Sequence, residues 1–256
     1  MAPASDASPP AERHRQLLAL AQKAKGFMPD DEGLALHDAA LRAARATPHR
    51  ATLMEIGAWC GKSTLYLGAA AEVADAVVFS LDHHHGSEEN QPGWDHHDRE
   101  VVDPTTGRID TLPFWRRTID SAELGDRVIG IVGDSATVAA HWRTPLDLCF
   151  IDGGHGEEPA WADFEGWTPH IPVGRWLALH DVFPDPADGG RPPYELWCAA
   201  IESGQFTEDG ACGSLRVLRR VAAAVRGRSS RGRGATTRPG RARPPETSRT
   251  GRPRPG

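Results

Sequence analysis

No stretch of about 18 consecutive apolar residues occurs in this 256-residue chain, so no segment reads as a membrane-spanning helix. Met1 to Arg15 is rich in Ala, Pro and Ser and has no apolar core, so it does not read as a secretory signal. The four cysteines, Cys60, Cys149, Cys198 and Cys212, form no Cys-x-x-Cys pair. They are expected as buried free thiols in a reducing cytosol, which gives a cytoplasmic reading. Hydrophobic residues make up only 39% of the chain, and the termini account for much of that shortage.

What is present divides unevenly. From Arg226 onward the chain carries ten Arg and one Glu, a balance of +9, which leaves −15 for residues 1–225 against a total of −6. The tail has almost no apolar residues and is dense in Pro, Gly, Ser and Thr, so residues 226–256 are expected to be disordered, as are residues 1–10. A basic arm of this kind could bind nucleic acid or simply be solvated, but the acidic body argues against nucleic acid as the main partner.

Between the termini, helix-like and strand-like runs alternate. Helices are expected over 11–25 and from Asp30 or Asp31, as cap, to about Arg45, covering the site. Strands are expected over 52–58, 76–82, 127–133, 146–152 and 175–181. Helices are expected from about Ser63, over 112–122, 135–142, 157–168 and 192–203, and a hairpin over 205–209 and 214–219 turns through Gly210 to Gly213. Several strands are apolar throughout, as parallel strands buried on both faces are. The reading is an α/β fold over residues 48–221, a doubly wound Rossmann-like, mostly parallel sheet with helices on both faces and a C-terminal antiparallel strand pair. Trp115, Trp142, Trp161, Trp167, Trp176 and Trp197 are expected mainly to pack the core.

The first strand runs into Glu55-Ile56-Gly57-Ala58-Trp59-Cys60-Gly61-Lys62-Ser63-Thr64. A glycine turn between strand and helix lets main chain approach a ligand, and the helix start offers free N–H groups. Gly61-Lys62-Ser63 looks like the end of a phosphate loop, but only three residues separate Gly57 from Gly61. A dinucleotide fingerprint needs Gly where Trp59 stands. The pattern acidic-x-Gly-x-x-x-Gly-x-Ser/Thr fits residue for residue.

In such sheets ligands sit at the carboxyl ends of strands. Those ends carry, in order, Asp82, Asp134-Ser135, Asp152-Gly153-Gly154-His155 and His180-Asp181. An acid at Asp82 can take both hydroxyls of a ribose. Asp134 and Ser135 can meet an adenine, although Ser135 can equally cap the helix that follows. Asp152, His180 and Asp181 could hold a divalent metal, or His155 and Asp152 could act as base. Adjacent strand residues point to opposite faces, so His180 and Asp181 converge only if the strand has ended.

Together these features resemble class I S-adenosylmethionine (SAM)-dependent methyltransferases. The runs 150–155 and 177–182 are similar to a bacterial small-molecule O-methyltransferase subgroup related to macrocin- and catechol-type enzymes. The resemblance implies methyl transfer from SAM to a small-molecule acceptor, at a hydroxyl oxygen. By that resemblance Glu55, Gly57, Gly61 and Ser63 frame the methionine end, Asp82 holds the ribose, and Asp134 and Ser135 contact the adenine. In metal-dependent relatives the metal positions are Asp or Asn; His180 departs from that, which tilts preference from Mg2+ toward Mn, Fe or Zn and equally fits no metal. The segment after Asp82, with His83, His84, His85, Trp94, His96 and His97, is expected to be a lid over the acceptor. A non-catalytic SAM- or nucleoside-binding module and a nucleic-acid-associated protein are the alternatives, and self-association is left open.

Overall fold

The computed structural model describes residues 10–224 except 92, 94–96 and 155. The expectations of disorder for residues 1–9 and for the arginine-rich tail, and the lid and base assigned to Trp94 and His155, lie outside the described residues.

Helices α1 (Pro10–Lys23) and α2 (Asp30–Arg45) precede β1 (Thr52–Ile56), and then strands and helices alternate: α3 (Lys62–Ala74), β2 (Val77–Asp82), α4 (Leu112–Ser121), β3 (Val128–Val132), α5 (Ser135–His141), β4 (Leu148–Ile151), α6 (Glu157–Trp167), β5 (Trp176–Leu179) and α7 (Arg191–Glu202). The chain of elements closes with β6 (Phe206–Cys212) and β7 (Leu215–Arg220). One sheet runs β3-β2-β1-β4-β5-β7-β6, with β1 to β5 parallel and β7 and β6 antiparallel. No described helix is long and apolar enough to cross a membrane.

The central strands read apolar throughout because both of their faces are covered. Leu53, Leu148, Phe150, Trp176 and Ala178 belong to the core under α1, α2 and α3. Their alternates Met54, Ile56, Cys149, Ile151, Leu177 and Leu179 belong to the core under α5, α6 and α7. Period-two alternation of side chains produces this division. Within β1 it sends Glu55, and just past the ends of β4 and β5 it sends Asp152 and His180, toward the α2 and α3 face. The order reverses between β1 and β4, and the crevice at that switch point is where doubly wound sheets take ligands.

Two local expectations are corrected, the cap of α2 and the turn of the hairpin. Neither Asp30 nor Asp31 caps α2; Pro29 precedes it with no side-chain cap, and Asp30 instead reaches Lys62 at 2.9 Å. β3 is an edge strand with Ile129 and Val132 exposed, so it is not buried on both faces. The hairpin turns at Gly213–Ser214, and Gly210 lies inside β6 at an irregularity in register. The stretch after Asp82 carries two short 3-10 turns, Glu88–Asn90 and Arg99–Val101, and a bridge between Val102 and Ile109. Trp115, Trp167 and Trp176 are buried, and the half-buried Trp142, Trp161 and Trp197 pack against the core under α5, α6 and α7, as expected.

Candidate active site

A cleft of about 1120 Å³ opens over the tips of β1, β2, β3, β4 and β5. That slightly exceeds the usual ligand pocket of roughly 300–1,000 Å³, as suits a cofactor and an acceptor held together.

One half is shaped by main chain. Gly57, Trp59 and Gly61 all take left-handed φ, at 85°, 47° and 95°. A Cβ on Gly57 would lie 2.2 Å from the Asp152 carbonyl oxygen, so only glycine lets the turn nest on β4. Asp82 Oδ2 accepts from the backbone N–H groups of Ala58 and Trp59, both at 2.9 Å, and Oδ1 accepts from that of His84 at 2.7 Å. A carboxylate has about four acceptor positions, and three are filled by this chain. Asp82 therefore braces the glycine turn while lining the cleft.

Glu55 is fully buried beneath the cleft rather than lining it. Its carboxyl accepts from the hydroxyls of Ser63, Thr64 and Ser80, each at 2.6 Å, tying β1 to β2 and to the start of α3. Burial pushes its pKa up to about 7, against the opposing pull of the three hydroxyls. Ser63 does line the cleft. Asp134 lines it too, exposed, while its Oδ1 caps α5 by accepting from the Thr137 N–H at 2.8 Å. Ser135 Oγ accepts from Trp167 Nε1 at 2.9 Å and bonds Asp163. So Asp134, not Ser135, is the helix cap.

The other half is built from side chains. Asp152 and His180 share the α2 face, as strand alternation dictates, and His180 Nδ1 lies 3.0 Å from Asp152 Oδ1. β5 ends at Leu179, and a left-handed Asp181 (φ 55°) turns its carboxylate back to 3.5 Å from the same nitrogen. The convergence left conditional by the sequence is thereby met, and one ligand atom from each of the three lies within 4.8 Å of the others. Two ligands at right angles on an octahedral ion with bonds of about 2.1 Å would sit about 3.0 Å apart, so this donor set fits a divalent cation. Burial alone would lower the His180 pKa, but Asp152, Asp181 and Glu32 outweigh it and hold the ring well above the usual histidine range.

Glu32 was not legible as a site residue. It is buried on the first turn of α2, and its Oε2 accepts from His180 Nε2 at 2.6 Å. Burial would raise its carboxyl, but His180 and Ser214 hold it below the ordinary range. Asp163 on α6 was also missed; burial pushes it up to about 6, with Ser135 opposing. In the stretch after Asp82, His83 borders the cleft, half-exposed. His84 is corrected: it is buried and turned inward, with Nδ1 2.8 Å from Thr111 Oγ1, so it does not face an acceptor.

The fold resembles those of solved proteins. The O-methyltransferase NovP matches with a TM-score of 0.61 at 14% identity, over 84% of this chain and 100% of that one. The cofactor-bound Rv0187 from MTB matches with a TM-score of 0.55 at 16% identity, over 84% of this chain and 91% of that one. A family profile described as a methyltransferase domain matches residues 54–182, half of the chain, from β1 to the residue after Asp181. The matched stretch holds the glycine turn and every acidic strand end over which the cleft opens, and the chain belongs to the class I SAM-dependent methyltransferases.

Proposed function

We propose that the protein moves the methyl group of SAM onto a hydroxyl oxygen of a small molecule, with a divalent cation held by Asp152, His180 and Asp181 in the acceptor half of the cleft. The observation that carries this reading is the convergence of those three side chains at the tips of β4 and β5, beside the glycine turn. The name of NovP, an O-methyltransferase of the same fold, supports oxygen as the acceptor atom.

Bound SAM supplies a methyl group already activated on a sulfonium, so the chain's task is alignment of an acceptor lone pair with the methyl carbon. Gly57 and Gly61 leave room for the methionine end, and Ser63 is held beneath it by Glu55. The remaining acceptor position of Asp82 takes one ribose hydroxyl, and Asp134 and Ser135 border the adenine. The acceptor hydroxyl must lose its proton, and a cation in the Asp152–His180–Asp181 site supplies Lewis acidity for that. The nitrogen ligand tilts the choice toward Mn, Fe or Zn. The atoms balance as methyl moves from sulfur to oxygen and the hydroxyl proton leaves to solvent.

The test is release of S-adenosylhomocysteine (SAH) with hydroxyl-bearing metabolites, before and after EDTA. Turnover should vanish with EDTA and return with Mn2+. Asp181→Ala should lower kcat about 100-fold, the scale of a lost proton-removal step, with SAH still bound. Full turnover after EDTA together with a harmless Asp152→Ala would remove the cation from the reading; release with amines alone would move the acceptor atom to nitrogen.

A further inference from the structure

A buried carboxylate, Glu32, stands behind His180 in the acceptor half. Glu32 is 5% exposed, and both of its oxygens are engaged. Oε1 accepts from the Ser214 N–H at 2.7 Å; Oε2 accepts from the Ser214 hydroxyl at 3.0 Å and from His180 Nε2 at 2.6 Å. The two bonds from Ser214, in the β6–β7 turn, fix the carboxylate in place. The His180 ring is thus held from behind, with its opposite nitrogen facing forward.

An imidazole binds a cation through one nitrogen while the other donates its proton, and the partner of that proton decides which nitrogen is which. Here the proton on Nε2 has a doubly anchored carboxylate to donate to. Nδ1 points to Asp152 Oδ1 at 3.0 Å and Asp181 Oδ2 at 3.5 Å. We infer that Glu32 is a positioning residue: it commits His180 to bind a divalent cation through Nδ1, and so brings the first turn of α2 into the control of that site. This rests on the reading of Asp152, His180 and Asp181 as a cation site.

A purely structural staple between α2 and the β6–β7 turn would need only the Ser214 bonds. The bond to His180 separates the two roles, and Mn2+ titration of the full chain, read from the free-ion paramagnetic signal, distinguishes them. Glu32→Gln should weaken Mn2+ binding about 10- to 100-fold, the usual effect of removing the partner of a ligating imidazole. SAH affinity should stay within about twofold, because Glu32 lies outside the glycine turn. Ser214→Ala, which removes one staple bond and leaves the His180 contact, should keep wild-type Mn2+ affinity. Wild-type Mn2+ affinity in Glu32→Gln, or an equal loss in Ser214→Ala, overturns the inference alone. Absence of Mn2+ uptake by the wild type overturns the cation reading and this inference with it. Should Glu32→Gln not fold, the wild type still decides: nitrogen-15 spectra of histidine-labelled protein with Zn2+ should show Nδ1 shifted by the metal and Nε2 keeping its proton, and the reverse pattern overturns the inference.

Discussion

Along the Gly57–Gly61 turn, the shape offered to a ligand comes from five consecutive residues and their backbone angles, braced by Asp82. At the tips of β4 and β5 it comes from the side chains of Asp152, His180 and Asp181, backed by Glu32 and Ser214, which lie 182 positions apart. The first half can be no better than its backbone, so it is sensitive to a single added methyl group and tolerant of polar changes. The second tolerates small backbone adjustments and is sensitive to the identity of each polar atom. A cofactor common to many enzymes suits the first kind of construction; an acceptor particular to one enzyme suits the second.

The harshest way to break this contrast is Gly57→Ala. The added Cβ would lie 2.2 Å from the Asp152 carbonyl oxygen, at a φ of 85° that alanine resists. Left-handed strain and overpacking each cost roughly 1–3 kcal/mol. SAH binding by calorimetry should fall at least about 100-fold, with a lowered midpoint of thermal unfolding. An alanine variant that binds SAH normally would mean that the turn is not the rigid half.

A second test reaches the foundation under that turn. Glu55 titrates near 4.5 when unfolded and at about 7 in the fold. Between those values the folded chain keeps a proton that the unfolded chain has released, so stability falls as pH rises and levels off above 7. The whole window amounts to about 3 kcal/mol. Asp163, raised to about 6, contributes in the same direction at lower pH. Between pH 6 and 7 Glu55 should account for a loss of about 1 kcal/mol. Urea unfolding should show that loss in the wild type over and above the pH dependence of Glu55→Gln, to which His180 and Asp163 still contribute. Equal pH dependence in the two proteins would remove Glu55 as a proton-holding brace.

How much could be read in advance follows the same division. The glycine turn was legible because its residues are contiguous and their backbone demands are local. The central strands were legible because burial on both faces leaves unbroken apolar runs such as Leu148–Ile151. His180 and Asp181 could be named from their place at a strand end, but their convergence depends on a φ of 55° at Asp181. Glu32 looked like any acid favoured in the first turn of a helix, since nothing near it names Ser214 or His180 as partners. His84 was misplaced because three adjacent histidines look alike, and only its left-handed φ of 62° turns it toward Thr111. In the hairpin Gly210 competed with Gly213 as a turn signal, and a glycine inside a strand also marks an irregular register.

The mildest test asks whether the cofactor half uses any side chain of its own beyond its braces. Asp134 Oδ1 accepts from both the N–H and the hydroxyl of Thr137, which caps α5, and the residue is exposed at the cleft. A serine can make the same cap through its single oxygen, so Asp134→Ser should change stability by less than about 0.5 kcal/mol. It has no second oxygen for an adenine amino group. One hydrogen bond is worth roughly 0.5–1.5 kcal/mol, so SAH affinity should fall about 2- to 10-fold if Asp134 contacts the base. Calorimetry and thermal unfolding on the same sample separate the two roles. Unchanged affinity with unchanged stability would make Asp134 a cap alone, and the cofactor half would then be shaped at this end, too, by main chain rather than by side-chain recognition.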